Sequence, residues 1–80
     1  MSTRTYADTV AMQVKLLRVR QRLSQHQLAE RVAVSQFYIG KIERGDGNLT
    51  LDVLCKLATT FGVPPARLLQ PLEPLNTEVA

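Results

Sequence analysis

The stretch that decides the fold runs from residue 25 to residue 44 and reads QHQLAERVAVSQFYIGKIER. Ser24 and Ser35 are placed to begin two short helices, because a serine hydroxyl accepts a hydrogen bond from a free backbone N–H of the first turn. Helices of about eight residues joined by a tight turn bury their apolar faces only if they cross closely, which requires a small residue such as Ala29 at the contact. The apolar residues around Ala29 are Leu28, Val32, Val34, Ile39 and Ile42. The stretch therefore predicts a pair of closely crossed helices.

The rest of the chain also has apolar residues at helical spacing, and no segment alternates with a period of two. We expect a first helix over residues 8–21 with Asp8 as its N-cap. A fourth helix should begin after Thr50 and end at Gly62, a residue type that favours the end of a helix. A short fifth helix is expected over residues 65–70, because it begins with a proline, which the first turn tolerates.

Length and composition indicate one small domain. The chain has 80 residues, of which 45% are hydrophobic and 21% charged, and this is too apolar for a disordered protein. The predicted fold is a compact all-α domain of five helices over residues 1–80, with an ordered core at about residues 8–72. No apolar run is long enough to span a membrane, and the first 15 residues lack the hydrophobic segment of a signal peptide. A soluble, cytoplasmic protein is therefore expected.

Several kinds of functional site are excluded by the residues that the chain contains. Its single cysteine, Cys55, cannot form an internal disulfide, and together with the single histidine, His26, it is too small a set for a structural zinc site. We expect Cys55 to lie in the core or at an interface. There is no glycine-rich phosphate loop and no Ser/His/Asp set, and no two carboxylates share one helical face. The sequence therefore predicts neither an enzyme nor a metal or cofactor site.

Charge is unevenly distributed along the chain. The net charge is +3, with eight basic and four acidic residues in positions 1–48 and two basic against three acidic residues in the remainder. A basic first half is typical of a surface that binds a polyanion. The charge distribution by itself is equally consistent with a solvated surface that binds no polyanion.

Three motifs stand out in the chain: LSQHQLA at residues 23–29, IERG at residues 42–45 and the LxxLxKLAxxFGV pattern at residues 51–63. They resemble those of the phage repressor/Cro (XRE-like) family of helix-turn-helix DNA-binding domains. Within this family, the run YIGKIER followed by NLT is similar to the controller proteins of restriction-modification systems. The resemblance implies a lambda-repressor-like fold. The turn position that often holds glycine is Ala33 here, where a left-handed conformation would cost about 1 kcal/mol.

The resemblance implies that the third helix lies in the major groove of double-stranded DNA. Gln36 would read adenine through its amide, Lys41 would favour guanine, and Phe37 would contact a thymine methyl. Gln25 would bind a phosphate from the N-terminus of the second helix. The residues implied in DNA binding are Gln25, Ser35, Gln36, Phe37, Tyr38, Lys41, Arg44 and Asn48.

Some of these assignments have alternatives, and one pair is expected to be structural. An exposed Phe37 could equally be packed or belong to a partner surface, and Tyr38 either joins the core or points its hydroxyl at a phosphate. Asn48 either caps the turn after the third helix or reaches the DNA backbone. Arg18 and Glu43 resemble the buried ion pair that ties the first helix to the end of the third in this family.

A homodimer on a pseudo-palindromic operator is expected, because one helix-turn-helix unit of this size reads only a few base pairs. The apolar residues that follow Phe61 in the sequence are not needed for the predicted core, so they can form an exposed apolar surface. The expected dimer interface is Val63, Leu68, Leu69 and Leu72. We expect regulation of transcription without a small-molecule effector, and the alternative function is an antitoxin-like interaction module that also binds DNA.

Overall fold

The computed structural model describes residues 5–46 and 48–71, and within these ranges the protein is entirely helical apart from its turns. The described residues form four α-helices, followed by one 3-10 helix. Their bounds are α1 Tyr6–Arg20, α2 Gln25–Val32, α3 Gln36–Glu43, α4 Leu51–Phe61 and the 3-10 helix Pro65–Leu69. The all-α prediction is confirmed, but the fifth helix is a 3-10 helix. None of the helices in the described residues is long and apolar enough to cross a membrane.

The first helix begins earlier than the sequence analysis expected. Its N-cap is Thr5, whose hydroxyl accepts a hydrogen bond from the Asp8 backbone N–H at 3.2 Å. The Asp8 carboxylate in turn accepts a hydrogen bond from the Thr5 backbone N–H, also at 3.2 Å. Asp8 is therefore the third residue of a capping box and not the N-cap, and the carboxylate lies in the first turn, where the helix dipole favours negative charge.

The core lies where all five helices meet. Its apolar residues with 0% exposure are Val14, Leu28, Ile39, Leu57 and Leu68. The presence of Leu68 in this set corrects the expected dimer interface, since a side chain with 0% exposure has no surface to offer a partner. Val63 is half-buried and packs against the core, whereas Leu69 is 37% exposed. Leu72 lies outside the described residues.

Two glutamine side chains, Gln13 within α1 and Gln21 as its C-cap, hold the C-terminal part of the described chain in place. The Gln13 side-chain amide donates a hydrogen bond to the Gln70 carbonyl at 2.6 Å, and Gln21 donates to the Phe61 carbonyl at 2.9 Å. Carbonyl groups at helix ends have no partner within the helix, so these amides replace bonds that would otherwise go to water. They hold the ends of α4 and the 3-10 helix against α1. Cys55, by contrast, is exposed, so its expected place in the core is wrong, and a place at an interface stays a prediction.

Candidate nucleic-acid interface

Local hydrogen bonds position α2 and α3. The Ser24 hydroxyl accepts from the Gln27 N–H at 3.0 Å, and the Ser35 hydroxyl accepts from the Tyr38 N–H at 3.0 Å. Both predicted N-caps are thus confirmed. The turn between the helices passes through Ala33, which is left-handed with φ of 66° and ψ of 45°. Ala33 thus adopts the left-handed conformation expected in the turn of a helix-turn-helix, although its Cβ makes that conformation strained.

Two small residues lie in or beside the crossing of α2 and α3. Ala29 is 3% exposed, as the sequence analysis expected of the residue at the contact. Gly40, on α3, is also buried. A Cβ at this position would lie 3.4 Å from Arg44 Nη1 and 3.8 Å from Gln25 Oε1, which are ordinary van der Waals distances. Gly40 therefore lies beneath these two side chains.

A buried ion pair connects α1 to the end of α3. Arg18 Nε donates to Glu43 Oε2 at 2.6 Å, and Arg18 Nη2 donates to Glu43 Oε1 at 3.0 Å. The Glu43 side chain is only 4% exposed and that of Arg18 is 14% exposed. Arg18 Nη1 also donates to the Leu23 carbonyl at 2.9 Å. The two-pronged geometry holds the C-terminal end of α3 in a defined orientation relative to α1.

The Gln25 amide takes part in the same network. Its Nε2 donates to Glu43 Oε1 at 3.1 Å, which the sequence analysis did not foresee, since nothing in the local pattern relates residues 18 apart. The amide was expected to bind a phosphate directly. In the structure it joins the N-terminus of α2 to the C-terminal end of α3. One of its two amide hydrogens is used in this bond, so the other remains the group that can reach a ligand.

The outer face of α3 is formed by Gln36, Phe37, Lys41 and Arg44. At 3.6 residues per turn, the last three lie within about 60° of arc, with Phe37 between the two cations. The Phe37 side chain is 72% exposed, and the Lys41 ammonium lies 5.7 Å from its ring centroid. Gln36 is exposed in the first turn of α3, next to the exposed cap Ser35. The outer face is basic and carries no acidic residue.

The remaining predicted residues are Tyr38 in the first turn of α3, Arg44 at its C-cap and Asn48 in the following loop. The Tyr38 hydroxyl donates to the Asn48 carbonyl at 3.0 Å, and the Tyr38 ring is half-buried against the core. Of the two alternatives for Tyr38, the structure shows the packed one, and the hydroxyl donates its hydrogen bond to the loop. Arg44 Nε lies 3.5 Å from Asp46 Oδ2, and both side chains are more than half exposed. Asp46 thus competes with any phosphate for Arg44, a contact that the sequence analysis missed.

Solved structures of transcription regulators share this fold. The hypothetical transcription factor NHTF from Neisseria is 29% identical, with a TM-score of 0.83, over 86% of this chain and 79% of that one. The restriction-modification controller protein C.AhdI from Aeromonas hydrophila is 32% identical, with a TM-score of 0.74, over 78% of this chain and 94% of that one. SinR, a master regulator for biofilm formation solved in complex with DNA, is 27% identical, with a TM-score of 0.72, over 76% of this chain and 98% of that one. No curated protein matches the chain by sequence.

A family model agrees with these similarities. The model for the helix-turn-helix family HTH_3 matches residues 14–68, from the middle of α1 to the 3-10 helix. This range includes both capped helices, the left-handed turn at Ala33 and the Arg18–Glu43 pair. The match covers more than half of the 80 residues. The chain therefore belongs to the HTH_3 family and has the fold of a helix-turn-helix transcription regulator.

Proposed function

We propose that this protein binds a specific sequence of double-stranded DNA as a homodimer and regulates transcription of its own or a neighbouring operon. The observation that carries the proposal is the outer face of α3. It combines an amide, an aromatic ring and two cations with no carboxylate, on a helix whose opposite side is held in the core. Such a helix fits the major groove, where amides and cations bind base edges and phosphates.

The controller-type role is supported by the similarity to C.AhdI, which covers 94% of that protein. The proposed action of this protein requires no cofactor or small-molecule effector and takes place in the cytoplasm. A protein that co-purifies in stoichiometric amount would instead favour the antitoxin-like alternative.

An apolar groove offers the dimer interface. It has a volume of about 370 Å³ and lies between the start of α1, the start of α4 and the 3-10 helix. Tyr6 and Leu51 are 74% and 75% exposed, and Leu69 is 37% exposed. Residues that line the groove are Tyr6, Ala7, Val10, Leu49, Thr50, Leu51, Leu54 and Leu69. We place a second copy of the chain here, because the lining includes no residue of the outer face of α3 and leaves that face free for DNA.

The first test of the proposal is the salt dependence of binding. Neutralising about six to ten phosphates per dimer should make log K fall with log salt at a slope of roughly −5 to −9. The measurement is a titration of fluorescent duplex DNA over a range of potassium chloride concentrations. Binding that is independent of salt would contradict an interface made of Lys41, Arg44 and the N-termini of α2 and α3.

The second test separates base contacts from backbone contacts. We expect Gln36→Ala to relax specificity at one base pair per half-site, with a loss of about 1–3 kcal/mol on the preferred sequence. Arg44→Ala should instead weaken all sequences by a similar factor and lower the salt slope by about one per half-site. Binding to a set of single-base variants measures both. Equal losses for the two variants on every sequence would show that the assigned roles are wrong.

A further inference from the structure

Phe37 is an apolar side chain at the centre of a basic surface. It is 72% exposed, whereas the other phenylalanine, Phe61, is 5% exposed in the core. Hydration of so large an apolar ring is unfavourable, and no core contact in the structure explains its position. Among the groups on the edges of bases in the major groove, the C5-methyl group of a pyrimidine is the one that favours an apolar contact. The ring therefore fits a methyl group better than any polar group of the bases.

Lys41 is coupled to this ring. Its ammonium lies 5.7 Å from the ring centroid, within the range of a cation–π interaction. Lysine favours the O6 and N7 acceptors of guanine, so the two side chains present a methyl-binding group and a guanine-binding group side by side. Stacked base pairs are about 3.4 Å apart along the helix axis, which makes two steps about 6.8 Å. The 5.7 Å separation of ring and ammonium lies between one step and two, so the two side chains can reach bases that are adjacent in the sequence.

We propose that Phe37 and Lys41 act as one unit that reads a guanine adjacent to a pyrimidine bearing a C5-methyl group. The inference rests on the proposed function and defines part of its specificity. Thymine carries this methyl group in unmodified DNA, and 5-methylcytosine carries the same group at the same ring position. Methylation of a cytosine beside the guanine therefore strengthens binding at that position, and the domain senses cytosine methylation.

The experiment begins with sites that the protein itself selects from a random pool of duplex DNA. In a selected site, each thymine next to a guanine is replaced by deoxyuridine, which removes the methyl group alone. At the same position, cytosine is compared with 5-methylcytosine, paired with guanine in both duplexes, which adds the methyl group alone. We expect the methyl group to raise affinity about fourfold per half-site in both comparisons, the effect of burying one methyl group at about 0.8 kcal/mol.

Two variants distinguish a contact with the methyl group from an effect on DNA shape. Phe37→Ala should bind the methylated and unmethylated duplexes of each comparison equally, and its exposed position predicts an unchanged melting temperature. Val19→Ala, which truncates another exposed apolar residue, should keep the full methyl effect. A methyl effect that persists in Phe37→Ala would overturn the inference, because it would arise from the DNA.

Lys41→Met tests the coupling of the two side chains. It should lower the preference for the guanine and also reduce the methyl effect, because the ring loses the cation that orients it. Selected sites without a thymine next to a guanine, or equal binding of thymine and deoxyuridine by the unmodified protein, would contradict the inference and leave the proposed function intact. Failure to select any sequence would contradict both.

Discussion

Replacing Glu43 with alanine is expected to destabilise the protein by about 3–5 kcal/mol, because Arg18 would remain largely buried without its counter-ion. The carboxylate accepts hydrogen bonds from Arg18 and from Gln25, and its side chain is only 4% exposed. Urea unfolding followed by circular dichroism measures the loss. A single-domain protein has about 5–15 kcal/mol of stability in total, so the variant should lose a substantial share of it.

Three further variants make this prediction specific. Glu43→Gln keeps one acceptor for Arg18 and should lose less than Glu43→Ala. The double variant Arg18→Met/Glu43→Leu removes both charges and should cost much less than either single alanine substitution. Glu30→Ala breaks an exposed contact with His26 and should change stability by less than about 0.5 kcal/mol. A Glu43→Ala protein that is fully stable but no longer binds DNA would show that the pair acts in recognition.

Leu51→Asp and Leu69→Asp are each expected to convert a dimer into a folded monomer. A carboxylate in the apolar groove would lose its hydration when a second chain covers it, which opposes association. Sedimentation velocity measures the oligomeric state, and thermal unfolding checks the fold. Operator affinity should fall by about 10²–10⁴-fold, because the two half-sites would then be bound independently.

The control for this pair is Val19→Asp. Val19 is 57% exposed near the C-terminal end of α1, whereas the groove is at the N-terminal end of that helix. This variant should remain dimeric. Leu68→Asp is unsuitable as a companion, since burying a carboxylate in the core would unfold the protein. If both groove variants remain dimeric, the interface lies elsewhere on the molecule.

Features set by neighbouring residues could be predicted from the sequence. The caps at Ser24, Ser35 and Thr50 and the left-handed Gly62 follow from side-chain chemistry within one turn, and all four are observed. The N-cap at Asp8 was wrong, although Thr5 stands at the capping-box spacing before it. The Thr5 hydroxyl accepts from the Asp8 backbone N–H and the Asp8 carboxylate accepts from the Thr5 backbone N–H, so the two residues form a capping box.

Features set by tertiary contacts could not be predicted in the same way. Which of Leu68 and Leu69 is buried depends on how the 3-10 helix packs against α1 and α4. A 3-10 helix has three residues per turn, so its side chains face other directions than they would in an α-helix. The Gln25 bond to Glu43 and the Gln13 bond to Gln70 join distant positions. No periodicity encodes such pairs, so the resemblance to a family supplied Arg18–Glu43, while the Gln25 and Gln13 bonds were not predicted.

In α3, the residues proposed to contact DNA differ from those that hold the helix in the core, and this has a consequence for the evolution of the protein. Gln36 and Phe37 are exposed, and Arg44 makes only an exposed contact with Asp46, whereas Ile39, Ile42 and the Glu43 carboxylate hold the helix in place. Substitutions on exposed surfaces usually change stability by less than about 0.5 kcal/mol. New target sequences are therefore accessible by single mutations that leave the scaffold undisturbed, and a duplicated gene can diverge in the DNA it recognises while its fold stays the same.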